Sequence, residues 1–242
     1  MRKRQVAKMN VNRKIQDITN TIMERIIMES AMDEVANYPQ NFSMDDFKKL
    51  RSFSQRVNYC EQRLKRLGSG SARIVYLIDD TTVLKLAKNN KGIAQNRAEA
   101  EDSYARDNEL TTEVYDTDEN YLWVEMQFAR RAKADDFRKL TGHDFKFMCG
   151  FIDFVHSWYG RYTQYGQCRD AEKYEEFLES DEYEYSFFWS LADYMNNFQL
   201  EAIGDLKRPS SWGVVKDKDG SERIVIVDMG LNDDVYGGFY KR

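Results

Sequence analysis

The chain has 242 residues, with 36 Lys+Arg against 41 Asp+Glu and a net charge of −5. That acidic balance argues against a dedicated nucleic-acid coat, which needs a broad basic footprint. A hydrophobic share of 42% and an aromatic share of 14% supply a packed core and exclude wholesale disorder. No apolar run approaches the roughly 18 residues a membrane span requires.

The start is basic: Arg2, Lys3, Arg4, Lys8, Arg13 and Lys14 occur without an acid. No apolar stretch follows them, so they are not read as a secretory signal. They read as a solvated terminus, with contact to a nucleic acid or another anionic partner as the alternative. The three cysteines, Cys60, Cys149 and Cys168, are far apart and include no CxxC pair. With two histidines, His143 and His156, a zinc cluster is not expected, and reduced thiols in a cytoplasmic compartment are. Neither histidine lies in a pattern that makes it a base, so both are assigned structural or surface roles.

All 13 glycines fall at or after Gly68. The first 67 residues therefore lack the punctuation of tight turns and are predicted helical. Ile15, Ile18, Ile22 and Ile26 recur at helical spacing. Tyr38-Pro39-Gln40-Asn41 breaks that helix, Ser43 with Asp46 marks a new start, and Phe47, Leu50, Val57, Cys60, Leu64 and Leu67 continue a second helix. Residues 1–66 are thus expected to form a helical extension.

The texture changes at residue 67. Leu67-Gly68-Ser69-Gly70-Ser71-Ala72-Arg73 precedes two predicted strands, Arg73–Ile78 and Thr82–Leu86, joined by a turn at Asp79-Asp80. Small residues there let backbone amides approach a phosphate. The second strand carries Lys85 among apolar neighbours, and residues 91–101 read as a helix bearing Glu99 and Glu101. A strand lysine paired with a helix glutamate presents an ammonium to phosphate oxygens.

Downstream, Phe145, Met148, Ile152 and Val155 mark one helix, and Phe187, Leu191, Tyr194, Met195 and Phe198 another. Residues 170–185 carry eight acids and one Lys, with Tyr174, Phe177, Leu178, Tyr183 and Tyr185 as the buried face of a surface helix or, alternatively, an acidic partner face. Gly204-Asp205-Leu206 leads to strands at 213–216 and 222–227, separated by an Asp219-Gly220 turn and ending in Asp228-Met229-Gly230.

These pieces, in this order, resemble the protein-kinase-like superfamily, which includes eukaryotic-type protein kinases and aminoglycoside phosphotransferases. Gly68–Arg73 is similar to its glycine-rich loop, with Arg73 where a third glycine is common. Val83-Leu84-Lys85 is similar to the strand ending in the phosphate-binding lysine, and Glu99 to the helix glutamate. The strand at 121–128, with Glu125 and Gln127, is similar to the one entering the hinge, where backbone groups hold adenine. Leu67, Val75 and Val83 would wall the base. Asp205 matches the catalytic aspartate, and Asp228-Met229-Gly230 the metal-binding Asp-Phe-Gly.

The resemblance implies an α+β, minimal two-lobed kinase-like fold: a helical extension at 1–66, an N-lobe at 67–128 and a truncated C-lobe at 129–242. It implies ATP and Mg²⁺ as cofactors. Asp205 would orient an attacking hydroxyl, Lys85 would hold the α- and β-phosphates, Ser69 and Ser71 would lie in the phosphate loop, and Asp228 would carry the metal. The chain departs from the pattern in three places. Ser210 stands where a metal-binding Asn is usual, with Ser211 and Asn232 as substitutes; Ile203-Gly204 replaces the His or Arg before Asp205; and 12 residues follow Gly230, where a protein kinase has a long activation segment.

The match is nearest to short kinase-like proteins of tailed bacteriophages, with Lys91-Gly-Ile-Ala-Gln-Asn-Arg-Ala-Glu99 as its most specific piece. It implies a phosphotransferase acting on a protein hydroxyl or on itself in the host cytoplasm, with nucleotide and a host or phage protein as partners. The alternatives are a pseudokinase serving as an interaction module and a nucleic-acid-associated accessory protein.

Overall fold

The computed structural model describes residues 38–158, 170–198, 203–227, 235 and 238–239. Outside the described residues lie the first predicted helix, the basic start, Cys168, Asp228-Met229-Gly230, Asn232 and the tail residues Asp233, Asp234, Tyr236 and Tyr240. Contacts divide the chain into two compact units between Asn37 and Tyr38.

Two short helices open the described unit. In α1 (Met44–Lys48), the Ser43 hydroxyl accepts from Asp46 N at 3.3 Å, and Asp45 and Asp46 sit at the positive helix end. α2 (Phe53–Glu61) begins on a capping box in which Ser52 Oγ accepts from Gln55 N and Gln55 Oε1 accepts from Ser52 N. The single helix predicted from Phe47 to Leu67 is therefore corrected: the Ser52 box restarts it. Its last part is strand β1 (Lys65–Ser69), exposed along its whole length. Lys65 and Arg66 give this edge the charge that discourages further pairing, and the absence of apolar alternation hid the strand in the sequence.

β2 (Arg73–Leu77) and β3 (Thr82–Ala87) form the predicted hairpin, with Asp79 Oδ1 accepting from Thr81 N in its turn. Then come α3 (Asn90–Glu101), α4 (Ser103–Asp107), β4 (Val114–Thr117) and β5 (Trp123–Gln127). The strands make one antiparallel sheet in the order β1-β2-β3-β5-β4.

Side-chain alternation gives this sheet two faces. Tyr76, Leu84 and Glu125 are in register on the back, as are Ile74, Leu86 and Trp123. α1 and α2 cover that face: Phe47 meets the edge of Trp123 at 5.7 Å, and Tyr76 donates to Glu61 at 2.9 Å. Each apolar side chain fully buried there contributes roughly 1.5–3 kcal/mol. On the front, Val75, Lys85 and Val124 are in register, followed by Leu77, Val83 and Met126.

After β5 the chain is mainly helical: β6 (Arg130–Arg131), α5 (Ala134–Thr141), α6 (Phe145–Trp158), α7 (Ala171–Leu178), α8 (Phe187–Phe198) and α9 (Ile203–Leu206). A 3₁₀ turn at Pro209–Ser211 leads into β7 (Trp212–Lys216) and β8 (Glu222–Ile226), which pair with β6 in a second antiparallel sheet. Phe147, Phe151, Phe177 and Phe188 pack mainly edge to face as the aromatic core of this part. Gly150 permits it, since a Cβ there would lie 1.9 Å from Tyr174 Oη.

His143 stacks on Phe147 at 3.8 Å, a structural role. Cys60 and Cys149 are free thiols, and burial pushes the Cys60 thiol up to about 12. Tyr174 and Phe177 form the buried side of the acidic helix. No helix among the described residues is long and apolar enough to cross a membrane. The architecture is α+β, an antiparallel sheet joined to a helix-rich region.

Candidate functional site

The turn between β1 and β2 is fastened to the start of α3. Gly70 O accepts from Lys88 Nζ at 2.9 Å, Ser71 O from Asn89 Nδ2 at 3.1 Å, and Ala72 O from Lys88 N at 2.7 Å. Asn89 also caps α3, its Oδ1 accepting from Gly92 N at 3.2 Å. Gly92 makes the approach possible, because a Cβ there would meet Ala72 O at 2.2 Å. In a trans peptide the N–H points opposite to the preceding C=O, so the amides of Ser71 and Ala72 are directed away from α3. Such consecutive amides form a ready seat for an anion.

Under this turn lies a cleft of about 440 Å³, within the range of small-ligand pockets. Leu67, Val75, Val83 and Met126 give it apolar walls, and Gly68, Gly70, Ser71, Arg73 and Lys85 lie at its polar end. Gln95, Thr112, Gln127, Phe128, Ala129, Ser210 and Val227 also line it. This described wall holds two cations and no carboxylate.

Behind it, Lys85 Nζ lies 2.9 Å from Glu99 Oε2 and 3.2 Å from Val227 O. Lys85 and Glu99 are 8% and 6% exposed, so each charge needs the other. The arrangement matches the protein-kinase-like fold that the sequence resembles. The deciding features are the five-stranded antiparallel sheet, the helix inserted after its third strand, and this lysine–glutamate pair beside a glycine-rich turn.

Arg73 Nη1 lies 2.9 Å from the same Glu99 Oε2. Burial alone would push the Glu99 carboxyl up; Arg73 first, then Lys85, hold it below the ordinary carboxylate value. A kinase-like cleft with a second cation on its helix glutamate was not read from the sequence. The available signal was spacing: Arg73 stands two residues before Val75 on one strand, hence on the same face.

The structure brings Leu67, Gly68, Gly70, Ser71, Val75, Val83, Lys85, Gln127 and Ser210 together on the cleft wall. Ser69 is exposed at the end of β1 and takes Lys88 Nζ at 3.4 Å. Glu125 does not line the cleft. Alternation along β5 turns it to the back, where both carboxylate oxygens lie 3.0 Å from the Tyr38 hydroxyl. The backbone amides of Gln127 and Phe128 already donate to Glu113 O and Thr81 O. An adenine contact by amide would therefore fall beyond them, where Ala129 lines the cleft.

Asp205 is also off the cleft wall, its carboxylate 2.8 Å from Arg208 Nη1. Its loop is firmly held, with Trp212 Nε1 donating to Leu206 O at 2.7 Å and Lys207 pairing with Asp153 at 2.6 Å. Asp228 lies outside the described residues, directly after Val227. Among the described residues no group of three His, Cys, Asp or Glu is arranged to hold a metal ion. The donors on the wall near Lys85 are hydroxyls and amides, which do not by themselves suit Mg²⁺.

No family model matches the chain, and no curated protein matches it. Similar solved structures include the streptomycin–ATP–APH(2″)-IIa ternary complex, at 11% identity over 75% of this chain and 71% of that one, with a TM-score of 0.35. Choline kinase LicA from Streptococcus pneumoniae shares 12% identity over 74% of this chain and 69% of its own, with a TM-score of 0.32. ADP-bound aminoglycoside phosphotransferase APH(2″)-Ib shares 13% over 74% and 71%, with a TM-score of 0.31. These superpositions are too loose to transfer an activity, and the kinase-like fold rests on the geometry above.

Proposed function

We propose that the chain binds a nucleoside triphosphate in this cleft and transfers its terminal phosphoryl group to a hydroxyl of a protein or of itself. The observation that carries this reading is the cleft wall. Two cations and the glycine-rich turn line one end, apolar side chains line the rest, and no carboxylate is among the described lining residues. Lys85 meets the α- and β-phosphates, while Glu99 keeps its charge compensated. Asp205 orients the attacking hydroxyl and takes its proton as the new oxygen–phosphorus bond forms and the bond to the leaving diphosphate breaks. Asp228 is the carboxylate that would hold a metal ion, which would offset the charge of the phosphates. The same reading makes the chain phage-encoded and active in the bacterial cytoplasm, with a host or phage protein as acceptor.

A second reading has its own observation. The Asp205 carboxylate is engaged by Arg208 rather than facing the cleft, and Ser210 occupies the position of the usual metal-binding Asn. A nucleotide-binding interaction module without transfer fits that arrangement. Thermal shift with ATP and a non-hydrolysable analogue, with and without Mg²⁺, followed by γ-phosphate transfer in wild type and Asp205→Ala, separates the two. Binding with Asp205-dependent transfer supports the enzyme. Binding with no transfer to itself or to host-lysate protein supports the module, and no binding removes both.

A further inference from the structure

Lys88 and Asn89, directly after β3, hold the turn at Gly70–Ala72 by all three of its carbonyls. Lys88 Nζ donates to Gly70 O at 2.9 Å, Asn89 Nδ2 to Ser71 O at 3.1 Å and Lys88 N to Ala72 O at 2.7 Å. The turn also closes on itself, with Gly70 N donating to Arg73 O at 2.9 Å. Glycine loses more conformational freedom on ordering than any other residue, so a glycine turn is costly to fix. Here the ordering is done before a ligand arrives. The same two residues also touch the other parts of the cleft end. Lys88 follows Lys85 by three residues, and Asn89 caps α3, the helix that carries Glu99. Strand, helix and turn therefore meet in one dipeptide.

We propose that Lys88 and Asn89 are positioning residues that preform an anion seat at this turn, so that Ser71 and Ala72 present their amides to a phosphate chain without a loop closure. This rests on the nucleotide reading above for the identity of the anion, but not for the arrangement itself. The aim of the seat follows from its carbonyls. Each carbonyl drawn towards α3 turns the next amide the opposite way, and Gly70, Ser71 and Ala72 all line the cleft. Lys88 and Asn89 are outside the described cleft wall, so they act through the turn rather than on the ligand. Gly92 is the space that the arrangement needs: a Cβ there would meet Ala72 O at 2.2 Å and Ala87 Cα at 3.0 Å. A side chain at that position would wedge the turn off α3 while leaving both donors in place.

The test loosens the ties without touching the seat. Full-length wild type, Lys88→Gln, Asn89→Ser and Gly92→Ala are titrated calorimetrically with ATP and with inorganic tripolyphosphate. Amide hydrogen exchange at Gly70 and Lys88 is followed in the ligand-free proteins. Serine caps a helix about as well as asparagine but lacks the amide that reaches Ser71 O. Gly92→Ala removes neither a charge nor a donor. In each variant exchange is expected to quicken and tripolyphosphate affinity to fall about tenfold, the worth of one hydrogen bond. Affinity within about twofold of wild type in Asn89→Ser and Gly92→Ala overturns the proposal even where exchange quickens, since the ties are then structural only. A loss confined to Lys88→Gln also overturns it, because that loss is one of charge. Tripolyphosphate bound as tightly as ATP, with the expected falls, removes the nucleotide reading and leaves the seat. Should wild type bind neither, both fail. If Gly92→Ala does not fold, Asn89→Ser decides, and unchanged affinity in that variant overturns the proposal.

Discussion

Two glutamates on the two sides of one sheet are equally hidden and oppositely treated. Glu99 is 6% exposed and Glu125 is 2% exposed. Glu99 faces two cations, which hold its carboxyl low against the burial that would raise it. Glu125 faces the Tyr38 hydroxyl; burial, with Asp116 adding to it, pushes its carboxyl up and Tyr38 pulls it only partly back. Burial therefore does not decide whether a carboxylate is a working charge; the partner does. The front of the sheet holds its glutamate as a charge, paired with Arg73 and Lys85 at the end of the cleft. The back uses its carboxyl as a hydrogen-bonding anchor for the segment that begins at Tyr38.

Removing charge from each glutamate should break this symmetry, and Glu99 gives the largest effect. Glu99→Gln removes the carboxylate that Arg73 and Lys85 share at 2.9 Å, a loss of about 3–5 kcal/mol by the usual cost of breaking a buried ion pair. Urea unfolding at neutral pH measures it. Because the folded carboxyl lies below its ordinary value of 4.5, the stabilisation is complete above that value and is lost as pH falls through the folded one. The difference between wild type and Glu99→Gln should therefore shrink in acid. A difference below about 1 kcal/mol at pH 7 would mean that the two cations do not depend on Glu99.

The sequence made the front of the sheet legible and the back much less so. Lys85 and Glu99 were readable because a charge among strand apolars and an acid on the following helix have few inexpensive placements except against each other. Arg73 is hidden as a partner because it stands where a third glycine is common, although its two-residue spacing from Val75 puts it on the cleft face. β1 is hidden in the sequence because an exposed edge strand carries no apolar alternation. The resemblance to the hinge strand puts Glu125 at the cleft, whereas alternation along β5 turns it to the back. That failure is one residue in size: Met126, its neighbour, is on the wall. Asp205 shows the other limit, since a loop residue's direction depends on an ion pair with Arg208 that no periodicity announces.

The middle-sized test is Tyr38→Phe. The tyrosine hydroxyl meets both Glu125 oxygens at 3.0 Å, so its loss leaves a buried acceptor unsatisfied, about 1–3 kcal/mol. A change within error would show that water replaces the hydroxyl and that Tyr38 is not an anchor.

The smallest effect, Glu125→Gln, has the most informative sign. The folded carboxyl of Glu125 titrates above its ordinary value of 4.5, so the unfolded chain ionises first as pH rises. Wild type therefore loses stability from this group between 4.5 and the folded value and stays lower beyond it. Glutamine keeps the acceptor for Tyr38 and cannot ionise, so the variant should match wild type within about 1 kcal/mol in acid and gain on it as pH rises. This slope is opposite to that expected for Glu99→Gln. Urea midpoints for both variants from pH 4 to pH 8 test it. Parallel slopes would mean that the two faces of the sheet treat their glutamates alike, and the distinction between a working charge and an anchor would fail.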